Sequence, residues 1–252
     1  MTTTMKLGYA LYAAAAYTIG MGALVYLMGF VIGAPMLKHV DSGDAGGWGA
    51  FLGDILLLIA FTVPHSIMAR PWFKTWWARW VPIPLERSTY ILVSGLSTFA
   101  LVFLWQPITS PVWQIDVPPA RNSLWILYAL GWLTIVLATF NTDHFGFFGL
   151  RQVWQAVAAR VPQSPSLSAR WLYALVRHPI YLGWFLVLWS SPEMTVGHLL
   201  FAGGMSVYIV VVTPIEEADL VAELGDDYRA YRRRVPRFFP WPRRATEGKS
   251  AT

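Results

Sequence analysis

Thirty-one consecutive residues, Leu7 to Leu37, contain no charged side chain. A helix needs about 20 apolar residues to cross the roughly 30 Å hydrocarbon core of a bilayer. The run is therefore a membrane span with room for tilt. It is too long for a signal-peptide core and shows no clear cleavage site, so it is expected to be retained. Four more apolar stretches follow, charge-free apart from Asp54 in the first: Trp48 to Met68, about Thr89 to Gln106, about Asn122 to Phe140, and Met194 to Ile215. Pro179 to Pro192 is also uncharged but only 14 residues long. It reads as the short first arm of a hairpin that turns at Ser190 to Met194 and returns through the last span. Gly29 and Gly33 form a GxxxG of the kind that marks helix packing in membranes.

Composition agrees with this pattern. Only 13% of residues are charged, against about 25% in soluble domains. Fourteen Trp, eleven Tyr and fourteen Phe suit aromatic belts at two interfaces. The expected fold is all-α, a polytopic helix bundle forming one integral membrane domain over residues 1–252. Residues 1–140 would be a four-span scaffold and substrate side, 141–240 a loop, hairpin and tail that bind a ligand, and 241–252 a flexible end. The basic residues cluster at Lys6, in 69–87, in 141–178 and in the tail, whereas the loops after spans one and three hold only Lys38 and Arg121. Positive charge stays cytoplasmic, so about six crossings with both termini in the cytoplasm are expected. The net charge of +5 is topological and does not suggest a nucleic-acid partner. Absence of Cys excludes disulfides, thiolate metal sites and a cysteine nucleophile. No internal repeat supports a transporter.

Two polar groups flank the hairpin. Arg177 and His178 precede Pro179, which suits the first position of a helix, so they lie where backbone N–H groups point outward. Tyr181 follows in the first turn. Glu216 and Glu217 end the returning span, and Asp219 to Arg234 can form a charged helix. Two charged groups joined by a membrane hairpin emerge on one side of the bilayer. Together they offer donors for a carboxylate, acceptors for an ammonium, and tyrosine rings for a cation. A zwitterionic, cationic ligand such as S-adenosylmethionine fits that set, although the chemistry alone does not single it out. The plainer reading is a set of juxtamembrane ion pairs; for the arginines of 229–244 it is lipid-head anchoring. No GxGxxG, Walker loop or metal-ligand histidine spacing occurs, which argues against soluble-type nucleotide folds and bound metal. Asp54 and His65 lie within the second span, where ionisable groups usually face the bundle interior. His65 is either an interfacial histidine bonded to a backbone carbonyl or a wall of an active site.

The runs VRHPIYLG, EEADL and GDDYRAYRRRVPRFFP resemble the C-terminal half of the isoprenylcysteine carboxyl methyltransferase-like membrane methyltransferases. PHSIMARPWFKTWW, PLERSTY, FGLRQVW and MTVGHLLF resemble its methanethiol-methylating bacterial branch. The likeness runs from about Phe61 to Pro240. It implies S-adenosylmethionine held by Arg177, His178, Tyr181, Glu216, Glu217, Tyr228, Tyr231 and Arg232. It also implies a small thiol substrate near Asp143, Phe145 and Trp184, with His144 as the leading base and His65 the second. The chain departs from the family where Asp143-His144-Phe145-Gly146 replaces an Asn-His-Phe-Asp-like run. Two rivals remain at this level. A methyltransferase for a prenylated cysteine, a phospholipid or another thiol would need a long lipid-facing groove. A non-enzymatic membrane protein would bind no S-adenosylmethionine. Membrane lipids are expected partners, and the sequence leaves the oligomeric state open.

Overall fold

The structure, a computed structural model, describes residues 1–35, 38–44, 46–161 and 169–240. The expected flexible end, 241–252, and residues 162–168 of the loop before the hairpin lie outside the described residues. In chain order the helices begin with α1 (Thr3–Val31), α2 (Trp48–Met68), the short interfacial α3 (Pro71–Trp77) and α4 (Ile83–Leu104). They continue with α5 (Pro118–Thr142), α6 (His144–Phe147), α7 (Leu150–Val157), α8 (Leu172–Leu175), α9 (Pro179–Trp189) and α10 (Val196–Arg234). Five of these, α1, α2, α4, α5 and α10, are long and apolar enough to cross a membrane. The chain is an integral membrane protein. With eleven residues α9 spans only about 17 Å at 1.5 Å per residue, so as a helix it does not reach across a bilayer by itself.

The all-α expectation is amended by one small sheet. β1 (Pro111–Gln114) pairs antiparallel with β2 (Glu193–Thr195), with Gln114 opposite Glu193 and an irregularity between Pro111 and Trp113. Trp113 Nε1 also donates to Ser191 O at 3.1 Å. The α4–α5 connection is thus tied to the α9–α10 turn. Three- and four-residue strands are too short for alternation to announce them.

Close approach of helix pairs organises the bundle. α1 packs along α4, and α5 along α9. Both contacts pass through glycines, because without a hydrophobic drive between helices in lipid, small residues permit tight packing. A Cβ on Gly95 would lie 3.0 Å from Gly20 Cα, and one on Gly183 would lie 2.7 Å from Gly131 O and 2.6 Å from Ile135 Cγ1. The Gly29–Gly33 pair does not serve this purpose. Gly33 lies past the end of α1 at φ +67°, where Ala34 N bonds back to Gly29 O and closes the helix. Gly183→Ala should overpack the α5–α9 contact by about 1–3 kcal/mol, seen as a lower melting temperature of detergent-solubilised protein.

The centre of the bundle holds three mutually edge-on rings. Phe30, Trp105 and Phe201 have centroids 5.4–6.4 Å apart. Asp54, fully buried on α2, accepts from Gln106 N at 2.9 Å just beyond the end of α4. That bond gives the buried carboxylate a structural task.

Candidate active site

The crossing part of α10 ends at Ile215. From Glu216 to Arg234 it carries six acids and four arginines. At Gly225 the helix breaks, with φ +61° and ψ −132°. Glycine adopts that backbone readily and other residues do not. The segment after the break returns toward Glu217, and Tyr228 and Tyr231 become buried with rings 5.7 Å apart. Tyr231 donates to Tyr173 O at 2.6 Å, which ties the returning turn to the segment before α9.

Glu217 is the centre of the site. Its side chain is 1% exposed and that of Arg177 is 3% exposed. Glu217 Oε1 receives Arg177 Nε at 2.8 Å and Nη2 at 2.7 Å, with His178 Nε2 at 3.2 Å. Its Oε2 faces Arg237 Nη2 at 3.2 Å and Arg232 Nη1 at 3.9 Å. Arg177 Nη1 also donates to Arg232 O and Val235 O, while Arg177 N and His178 N donate to Pro236 O and Arg237 O. Because His178 caps α9 and Pro179 starts it, these two amides are left for the tail and not for the helix ladder. One carboxylate thus meets three guanidinium groups and a histidine, two of the guanidiniums half exposed. That surplus of positive charge suits a carboxylate ligand.

Burial raises the pKa of Glu217, but the His178 and Arg177 hydrogen bonds and the charges of Arg177 and Arg237 outweigh it and hold the pKa at about 2. The folded value lies below the ordinary carboxylate value, so the interaction is fully present above about pH 4.5 and is lost as pH falls toward 2. A melting-temperature profile of detergent-solubilised protein should therefore decline over that interval. The Glu217→Gln protein should lack this component of the decline.

Glu216 differs. Burial pushes it up, and hydrogen bonding from Tyr181 with the charges of His178 and Arg70 only partly opposes this. Tyr181 donates to Glu216 Oε1 at 2.7 Å. Arg70, at the end of α2, bonds Asp219 at 2.6 Å and lies 4.0 Å from Glu216. The rings of His178 and Tyr181 stack 5.4 Å apart, with Phe238 edge-on to Tyr181 at 6.4 Å. A partly desolvated carboxylate beside an aromatic wall suits an ammonium or sulfonium.

The eight residues expected to hold S-adenosylmethionine are brought together. The others are not. His65 Nε2 lies 2.8 Å from Tyr90 OH, its Nδ1 lies 3.1 Å from Ser94 Oγ, and its ring stands 6.4 Å from that of Tyr208. It therefore bonds side-chain hydroxyls, and neither ring nitrogen is used on a backbone carbonyl. His144 occupies another aromatic nest. Its Nε2 meets Tyr17 OH at 3.1 Å, its Nδ1 meets Thr139 Oγ1 at 2.9 Å, and its ring stacks on Phe140 at 4.2 Å. Asp143 pairs with Arg151 at 2.8 Å, Phe145 is exposed, and Trp184 turns onto Trp132 in the α5–α9 contact. Sequence reasoning passed over Arg70, Tyr90, Tyr208, Arg237 and Phe238. Arg237 and Phe238 stand inside the conspicuous RVPRFFP run, but Tyr90 and Tyr208 carry no local signal.

Fold and site define a polytopic membrane protein with a cluster of charged side chains gathered around Glu217. No family model and no solved structure matches the chain. Among curated proteins it is 43% identical to the methanethiol S-methyltransferase of Mycobacterium tuberculosis over 94% of this chain and 97% of the relative. It is 42% identical to that of a Pseudomonas species over 97% and 94%. Nurim of Sus scrofa is more distant, at 27% identity over 82% and 87%. The chain belongs to the methanethiol S-methyltransferase family.

Proposed function

We propose that this protein methylates methanethiol, with S-adenosylmethionine as donor, giving dimethyl sulfide and S-adenosylhomocysteine. The observation that carries the donor assignment is the Glu217 cluster with Glu216 beside it. Surplus guanidinium charge meets a carboxylate, and a desolvated carboxylate with Tyr181 meets a cationic end. Arg177, Arg232 and Arg237 would hold the donor's carboxylate, Glu216 its positive groups, and His178, Tyr181, Tyr228 and Tyr231 the walls. When bound, the donor supplies an electrophilic methyl on a sulfonium.

The protein's own contribution is positioning and a place for one proton. In-line approach of sulfur to the methyl carbon gains most from fixed orientation, and the thiolate is the stronger nucleophile. His65 is assigned as the proton acceptor. It lies with Tyr90 and Tyr208 on the side of the bundle where α2 and α10 converge on Arg70 and Glu216. Sequence resemblance favoured His144, which keeps a supporting role at the α5–α6 corner with Asp143 and Phe145. The chain is one domain, its sixth crossing is α9 extended by the residues up to β2, both termini are cytoplasmic, and the donor enters from the cytoplasm of a bacterial inner membrane.

The test is headspace gas chromatography over proteoliposomes supplied with methanethiol and S-adenosylmethionine. Dimethyl sulfide in step with S-adenosylhomocysteine is expected. S-adenosylmethionine binding without dimethyl sulfide would reject the acceptor, and no binding would reject the donor.

A further inference from the structure

α2 packs beside α10 without closing the whole seam between them. Between them runs a groove of about 430 Å³. Its membrane-side rim is made of exposed Ile59, Val63, Val207 and Val211, and its inner end reaches Ser66 and Tyr208. Along α2 the lining extends from Ile55 to Ser66, about 16 Å at 1.5 Å per residue. The polar end adjoins the site already described. Ser66 O accepts from Arg70 Nε at 3.0 Å, Ile215 precedes Glu216, and Tyr208 stands beside His65. Gly204 forms part of the wall and packs against Leu58: a Cβ there would lie 2.6 Å from Leu58 Cδ1, so a larger side chain at 204 would have to displace Leu58, another lining residue.

Methanethiol has two heavy atoms, on the order of twice the 30 Å³ share of a water molecule. A groove several times that size, apolar along its length and hydroxyl-bearing at the end near the donor cluster, has the shape of an alkyl thiol with its sulfur inward. We propose that it is an acceptor channel through which the enzyme also methylates longer, membrane-dissolved alkanethiols. This inference rests on the methyltransferase reading above. In the reaction the thiol S–H proton passes to His65 and the sulfur forms a bond to the methyl carbon. The methyl–sulfonium bond of S-adenosylmethionine breaks with its electron pair kept by the departing sulfur. The products are an alkyl methyl sulfide, S-adenosylhomocysteine and one proton. Each added methylene raises the bilayer concentration of the thiol about fourfold, so bulk KM falls with chain length until the groove is full.

The experiment compares methanethiol with pentanethiol on one proteoliposome preparation of wild type, Gly204→Leu and Ile59→Trp. The readout is the ratio of the two kcat/KM values, which cancels any loss of folded protein. Wild type should turn over both, and each substitution should lower the pentanethiol-to-methanethiol ratio at least tenfold. A diazirine-bearing alkanethiol should label α2 and α10 on illumination, and pentanethiol should compete. Methanethiol turnover with pentanethiol below a hundredth of it would overturn the channel while leaving the methyltransferase reading intact. So would a ratio unchanged in both variants, or labelling spread evenly over the lipid-facing helices. Turnover of neither thiol by protein that binds S-adenosylmethionine would overturn both.

Discussion

Glu217→Gln is expected to lower dimethyl sulfide formation at least 100-fold and to weaken S-adenosylmethionine binding to a similar extent. The substitution preserves shape and removes one charge. Arg177, whose side chain is 3% exposed, then keeps its cation in the interior without its partner. Breaking a buried pair from one side costs about 3–5 kcal/mol, because the remaining charge is left uncompensated. The damage spreads through Arg177, which also holds the carbonyls of Arg232 and Val235. The tail from Arg232 to Phe238 is attached through these bonds and the two neighbouring amides, so both the anion site and the Phe238 wall loosen. Arg232→Ala gives the contrast. Its guanidinium is 47% exposed and 3.9 Å from Glu217, a geometry worth under about 1 kcal/mol to stability, so its effect should appear in ligand affinity with little change in melting temperature. Calorimetric titration and thermal unfolding on the same preparations separate the two. Wild-type S-adenosylmethionine affinity in Glu217→Gln would remove Glu217 from the site.

Why the donor side was legible in the sequence and the acceptor side was not follows from how each is built. Arg177, His178 and Tyr181 are consecutive or one turn apart, and Glu216 with Glu217 breaks the charge pattern at the end of an apolar span. Charge at a membrane boundary is costly, so a cluster there signals itself. The five long spans were legible for the same reason, with α2 expected at its observed bounds. α1, α4 and α5 differed by a few residues where Pro or polar turns, such as Ile83–Ser88, continue into the helix, whereas α10 runs on from the last span into the charged stretch expected as a separate helix, ending at Arg234. The proposed acceptor side is assembled from residues that look ordinary alone. Tyr90, Ser94 and Tyr208 lie on two helices, separated from His65 by 25, 29 and 143 residues, and only bundle packing brings them together. His144 drew attention through the family resemblance, which places a histidine in the run after the fourth span. Its bonds to Tyr17 and Thr139 arise from α1 and α5 packing that no local pattern announces.

His65→Ala is expected to lower kcat about 10²- to 10⁴-fold, the range for loss of a positioned general base. The affinity for S-adenosylmethionine should stay within about twofold of wild type. The expectation follows from the way the ring is held. A neutral imidazole has one N–H donor and one acceptor nitrogen, and each of its partners, Tyr90 OH and Ser94 Oγ, can take either role. Either tautomer is therefore satisfied, and a proton arriving at one nitrogen can be matched by rotation of a hydroxyl at the other. Stacking on Phe61 at 5.4 Å fixes the plane of the ring. Tyr90→Phe removes one hydroxyl and leaves the ring volume, so it should reduce kcat less than His65→Ala while shifting the pH dependence of kcat. A purely structural role for His65 would instead lower stability and leave that pH profile in place. His144→Ala supplies the comparison. It opens a cavity among Tyr17, Phe140 and Phe148 and should lower the melting temperature more than His65→Ala, with a smaller loss of kcat per folded molecule. Single-turnover rates on both variants, normalised to bound S-adenosylmethionine, decide between the two histidines. A greater loss at His144 would move the proton acceptor to the α5–α6 corner and make Asp143 its orienting group.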